Sequence, residues 1–257
     1  ESDLVSLEFL EPDGTLIKRF SSDALPNEKG EVNPLALEAK QGANLFVWDM
    51  RYPDAVSFDG LILYSADTKG PKAVPGSYTA RLTVNGESVD KGFEILKDPR
   101  VPSSLADLQA QFDFLMDVRD KLSQANQSVI DIRKLRADLT YLQAKLTDNS
   151  AAEPILAALQ TLNDEMTVIE NNIHETRNEA YQDPLNFGIK LNNRLAYLAT
   201  HASDGDFPPT DEALAYKGEV SAQIDAEVAA LDALLAERLP AINQMVAQQG
   251  IEVLSKP

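Results

Sequence analysis

Residues 94–109, EILKDPRVPSSLADLQ, are where one kind of sequence becomes another. On the N-terminal side glycine is frequent. Eight of the twelve glycines lie between positions 14 and 92, and none occurs between Phe93 and Phe187. Glycine serves the turns of a β-domain and is costly inside a helix. The change at 94–109 therefore predicts strands before it and helices after it. Its prolines, Pro99 and Pro102, make the junction a short, stiff connector. Ser104 is placed to cap a helix, with Asp107 three residues on in the first turn.

Reading back from the junction, Asn85-Gly86 joins SYTARLTV to SVDKGFEIL, and Asp13-Gly14 joins VSLEFL to TLIKRF. Both dipeptides are hairpin signals. Tyr78, Ala80, Leu82 and Val84 alternate with Thr79, Arg81 and Thr83. That period of two marks a strand with one buried face. Pro75-Gly76 supplies the turn into it. Roughly six or seven short strands fit into the first hundred residues, which predicts an immunoglobulin-like β-sandwich over 1–98.

Reading forward, Leu105, Leu108, Phe112, Leu115, Leu122, Val129, Ile132, Leu135, Leu139, Leu142 and Leu146 recur mostly at steps of three and four. A helix over 103–147 would be about 65 Å long and needs partners for its apolar stripe. Further helical segments are expected at 154–180, 185–202 and 211–248, with Asp183-Pro184 as a break, Thr210 as a cap and Pro240 as a bend. The fold class is thus two-domain: an all-β sandwich followed by an all-α antiparallel bundle of long helices over 103–250. Three rods with the middle one broken at Pro184, and a four-helix bundle, both fit these lengths.

Composition narrows the function. The chain has 257 residues and a net charge of −18. Up to residue 102 there are 17 acidic and 11 basic residues, and beyond it 24 and 12, so the helical part carries most of the negative field. A polyanion is repelled by it and no basic patch compensates, so nucleic acid is not an expected partner. No apolar run is long enough to span a membrane. Cysteine is absent and there are two histidines, which excludes disulfides, thiolate sites, cysteine nucleophiles and multi-histidine metal sites.

Each candidate site has a structural reading beside it. Trp48 lies in NLFVWD, where Phe46 and Trp48 share one side and Leu45 and Val47 the other. It reads as the core anchor of a sandwich strand, the alternative being an aromatic platform with Tyr52 and Tyr64. Asp49 and Arg51 read as a turn-fixing pair. Asp204, Asp206, Asp211 and Glu212 lack calcium-loop spacing. His174, among polar residues near a helix end, reads as a solvated side chain. Arg119 and Asn126 interrupt the seam of the first long helix and suit register fixing. No catalytic residue, cofactor or metal site is assigned.

Three motifs carry a resemblance. Gly42, Asn44, Phe46, Trp48, Asp49, Arg51, Tyr52 and Pro53 form the first; Gly70, Pro71, Pro75, Gly76 and Tyr78 the second; Asp98, Pro99 and Arg100 the third. In this order they resemble the C-terminal region of exported bacterial sortilin-like, BNR-repeat β-propeller proteins, often labelled glycosyl hydrolase. The resemblance spans about residues 4–145 and rests on turn and core residues. It implies a non-catalytic accessory module, periplasmic or extracellular. Its implied partners are the upstream propeller of the same parent chain and a protein partner, or self-association through the bundle. A fragment of a hydrolase-like protein, with its active site in the propeller or at its junction, is the rival expectation.

Overall fold

The computed structural model describes residues 4–24 and 33–248. The expected outer domain limits, residues 1 and 250, lie outside them. The described chain combines one four-stranded antiparallel sheet with five helices. It divides into two compact units. Of the described residues, the first holds the sheet, with 4–24, 33–54, 69–113 and 205–208; the second holds 55–68, 114–204 and 209–248.

The sheet unit is built from two hairpins. Strands β1 (Val5–Leu10) and β2 (Leu16–Ser21) flank the Asp13-Gly14 turn, and β3 (Gly76–Val84) and β4 (Glu87–Ile95) flank Asn85-Gly86. Asn85 and Gly86 both have positive φ, 51° and 90°, as a two-residue hairpin turn requires. The strand order is β2-β1-β3-β4. The register puts Leu7, Phe9, Phe20, Tyr78, Ala80, Leu82, Val89 and Phe93 on one face. The other face buries Leu10 and Ile17 at one end, and across its middle runs a row of alternating charge: Arg19, Glu8, Arg81 and Asp90, one from each strand. Arg81 and Asp90 are 2.7 Å apart and Arg19 and Glu8 3.8 Å. Each edge strand also carries a lysine on the apolar face, Lys18 opposite Phe9 and Lys91 opposite Ala80. An inward-pointing charge on an edge strand discourages pairing with a further chain.

Four strands are fewer than the sequence predicted, and the second layer of a sandwich is not formed as a sheet among the described residues. Phe46 and Trp48 cover the apolar face from an irregular segment. Trp48 therefore does not sit on a strand, and it is half-buried. Its ring stacks on Phe9 with centroids 4.2 Å apart, while Phe46 packs on Phe20 at 4.7 Å. Leu45 and Val47 point the other way, 92% and 80% exposed. The alternation is present, but the ladder that would make the segment a strand is missing.

The helical unit is three rods. Helix α1 spans Leu105–Leu146, with its first residues, to Asp113, grouped with the sheet. A 3-10 turn at Ser150–Ala152 leads into α2 (Glu153–Ile173); then come α3 (Pro184–Phe187), α4 (Leu191–Ala202) and α5 (Asp211–Gln248). Val118, Leu122, Ala125, Val129, Ile132, Leu135, Leu139, Leu142 and Leu146 are all buried, at steps of three and four. This is the knobs-into-holes spacing of packed rods. Cross-helix pairs give the directions. Asp117–Lys217 and Lys121–Asp225 run α1 and α5 the same way. Arg133–Glu170 and Arg136–Asn163 run α2 against α1. Glu165–Arg238 and Asn172–Glu227 run α2 against α5, and Arg194–Glu219 continues the same order on α4. So α2 and α4 are two lengths of one middle rod.

The break is wider than expected. Helix α2 stops at Ile173 rather than near 180, and α4 begins at Leu191 rather than 185, because Gly188 has φ 97° and ends the short α3. Capping follows the sequence at both long helices. Ser104 and Asp107 exchange side-chain bonds with each other's backbone N–H, and Thr210 Oγ1 accepts from Ala213 N–H. Pro240 lies inside α5 without ending it.

Candidate functional site

Two places concentrate polar groups, one in each unit. In the sheet unit the motif residues form a clasp between segments 49–54 and 70–73. Asp49 Oδ1 accepts from Arg51 N–H at 3.0 Å, which holds Met50 at φ 58°. The Arg51 guanidinium donates to Gly70 C=O at 2.7 Å. Tyr52 N–H donates to Pro71 C=O and Ala73 N–H to Met50 C=O. Asp54 Oδ1 accepts from Gly70 N–H. A Cβ on Gly70 would lie 2.3 Å from Tyr52 O and 2.4 Å from Pro53 O, so only glycine allows this approach.

Pro75 and Gly76 lead into β3, and the Tyr78 hydroxyl donates back to Val74 C=O at 2.7 Å. Burial first, and the Glu11 charge second, push Tyr78 up to about 12. Asp98 accepts from Arg100 N–H and pairs with its guanidinium at 2.7 Å, with Pro99 between them at the surface. Trp48, Asp49, Arg51, Tyr52, Pro75, Gly76 and Tyr78 thus lie in one unit, each in contact with backbone or core. Trp48 Nε1 is buried without a hydrogen-bond partner, and its ring stands edge-on to Tyr78 and Phe93.

The clasp brings in a residue that sequence reasoning passed over. The Tyr52 hydroxyl donates to Glu11 Oε1, and the Tyr52 ring packs edge-on against Phe112 at 4.8 Å. Burial raises the Glu11 carboxyl above its ordinary range, with repulsion from Asp13 adding to it. The Asp13 carboxyl is held below its ordinary range by the Thr15 backbone N–H. Glu11 and Tyr52 are 41 positions apart, and no periodicity links them.

In the helical unit the polar cluster sits where the middle rod breaks. Glu170, His174, Glu175, Asn126, Asn192 and Asn193 are all buried. Glu170 is held by Arg133 at 2.9 Å and Arg136 at 2.7 Å. Glu175 is held by Arg177 at 2.7 Å, with Lys190 at 3.9 Å, and the Arg177 hydrogen bonds pull its carboxyl down to about 2. Asn126 Nδ2 donates to Val56 C=O at 2.7 Å, and Asn193 brackets Tyr64, accepting from its N–H and donating to its C=O. These asparagines tie residues 55–68 to the helices. Ala55 and Leu63 pack with Leu122 and Ala196 in the same cluster.

His174 is 2% exposed, which corrects its reading as a solvated side chain. It caps α2, donating its N–H to Glu170 C=O, and its ring stands edge-on to Phe58 at 5.0 Å. Burial first, then the Arg133 charge, lower it to about 4. Asn126 has a specific partner in segment 55–68, beyond fixing helix register. The asparagine pair 192–193 opening an apolar helix was the available signal for the cluster.

Among the described residues no group of three or more His, Cys, Asp or Glu is arranged to hold a metal ion, and no helix is long and apolar enough to cross a membrane. No family model, no curated protein and no solved structure matches the chain.

Proposed function

We propose that this chain is a non-catalytic interaction module, the C-terminal accessory part of a larger exported protein, periplasmic or extracellular. The observation that carries the interaction reading is the segment Leu45–Trp48. Its inward side chains complete the sheet's aromatic core, and its outward pair, Leu45 and Val47, stands almost wholly in solvent. Leu45 and Val47 are the two most exposed large apolar side chains among the described residues, and they stand out side by side, which supports contact with another polypeptide there. The export reading rests on the resemblance of the three motifs, as does the upstream propeller as a partner.

We also read the sheet unit as immunoglobulin-like. The Tyr78 hydroxyl bonded to the backbone four residues upstream, and a tryptophan packed on the sheet's aromatic face, are features of that class and support the reading.

The experiment is photo-crosslinking from position 47 in the parent protein, produced in its own host. The expected product joins Val47 to one defined polypeptide, and Leu45→Ser with Val47→Ser abolishes the association while circular dichroism is unchanged. Crosslinks only to solvent contradict the reading.

One observation would suit a different hydrolase reading, with the site in this chain itself rather than in the propeller or at its junction. Glu11 is raised and Asp13 lowered, a separation that suits an acid and a base. The Tyr52 hydroxyl already occupies Glu11, which supports a structural role instead.

A further inference from the structure

The buried amides around His174 have a fixed direction. Asn192 Oδ1 accepts from Asn193 N–H at 2.7 Å, which turns Asn192 Nδ2 toward Asn126 Oδ1 at 3.2 Å and His174 Nδ1 at 3.4 Å. Asn126 Nδ2 in turn donates to Val56 C=O. The Asn192 amide is a donor at Nδ2, so His174 Nδ1 is an acceptor and the ring is neutral. An imidazolium carries a donor on both nitrogens. Its Nδ1–H would meet the Asn192 Nδ2–H, and reversing Asn192 would forfeit the bond from Asn193 N–H and set its oxygen against Asn126 Oδ1.

Charge opposes the imidazolium as well. The Arg133 guanidinium from α1 lies over the Phe58 ring at 4.6 Å, and His174 meets the same ring from its edge. Of the carboxylates that face His174, Glu170 on α2 is engaged by Arg133 and Arg136, and Glu175 by Arg177 and Lys190. Asn126 and Asn192 face it from α1 and α4 and carry no charge.

We propose that His174 is an acid-sensitive latch: protonation of its buried ring releases segment 55–68 from the helices while the three-rod core stays folded. Two of the segment's anchors depend on the neutral ring, Phe58 against the imidazole and Val56 C=O through Asn126 and Asn192; the Ser123 bond to Val56 N–H, the Asn193 bonds to Tyr64 and the packing of Ala55 and Leu63 lie outside the ring's reach and part when these two give way. The leucine seam of α1 contains no titrating group.

The direction of the pH effect follows from linkage. The folded value, about 4, lies below the ordinary 6.5. The latch is therefore fully closed above 6.5 and loosens as pH falls from 6.5 through 4. Glu175, depressed to about 2 from 4.5, loses its contribution only below 4.5. Between pH 6.5 and 4.5 the histidine acts before it, and at pH 5 the opening equilibrium should rise about 30-fold over its value at pH 8.

Hydrogen exchange of the intact chain, referenced to intrinsic rates at each pH, tests this. The expected result is an approximately 30-fold fall in protection at Val56 and Tyr64 from pH 8 to pH 5, with the amides of Val129–Leu142 unchanged. His174→Gln should remove that pH dependence. If His174→Gln does not fold, the histidine NMR titration of the native chain replaces it: the His174 resonance must have its midpoint well below 6.5, and the loss of protection must level off at that midpoint. A flat profile, an equal loss in the helical core, a pH dependence that persists in His174→Gln, or a loss that continues unchanged below the His174 midpoint would overturn the proposal.

Discussion

The Trp48 indole lies on the Phe9 ring with planes 13° apart, and this stack joins an irregular segment to the first strand of the sheet. Phe9 also meets Phe20, Phe46 and Phe93 at about 6 Å, so one side chain keys five aromatics together. Trp48→Ala should cost the sheet unit about 3 kcal/mol, at the lower end for a large aromatic because the ring is half-buried. Urea unfolding followed by circular dichroism measures it, and a loss under about 1 kcal/mol would show that the stack is not part of the core.

Gly70 is the tightest point of the clasp. Gly70→Ala places a methyl group against the Tyr52 and Pro53 carbonyls and should destabilise by about 1–3 kcal/mol as the two segments part. Gly14→Ala is a control in open space, where only the positive φ is strained. A melting-temperature shift no larger for position 70 than for position 14 would contradict the close approach.

Glu170 is a buried carboxylate with two arginines. Arg133→Ala and Arg136→Ala each leave it one partner, and together they leave it none. Singly each should cost about 1–2 kcal/mol, and the double variant more than the sum, because an unpaired buried charge costs several kcal/mol. A double-mutant cycle with additive losses would mean that water satisfies Glu170.

Glu175 should govern the acid end of the stability curve. Its pKa is depressed on folding, so its contribution is present above pH 4.5 and is lost as pH falls toward 2. The urea midpoint of the native chain should drop through that window, and that of Glu175→Gln should drop less. Parallel curves for the two proteins would remove Glu175 from the account.

Much of this was legible before the structure. The Asp13-Gly14 and Asn85-Gly86 turns place four strands, and the leucine spacing of α1 places its buried seam. Local chemistry decides both. The inward turn of Phe46 and Trp48 was also legible, because alternation is a property of the chain itself. Whether that segment joins a ladder is not, since pairing depends on a neighbouring strand that no local signal names. The same limit hid the place of residues 55–68. Their anchors are backbone groups of Val56 and Tyr64, and a backbone carbonyl looks alike in every sequence. The early end of α2 was masked by residues that suit a helix, and the partners that make His174 a buried cap come from α1 and α4. Glu11 looked like one acidic residue among many until Tyr52 was placed beside it.

Turnover by the purified chain tests the central claim, that its role is contact rather than catalysis. A panel of glycosides and peptides should show no hydrolysis above buffer at any pH from 4 to 8, with Glu11→Gln and Asp13→Asn indistinguishable from the native chain. Reproducible turnover abolished by Glu11→Gln alone, with the sheet unit still folded, would contradict it and place an active site on the β1–β2 hairpin.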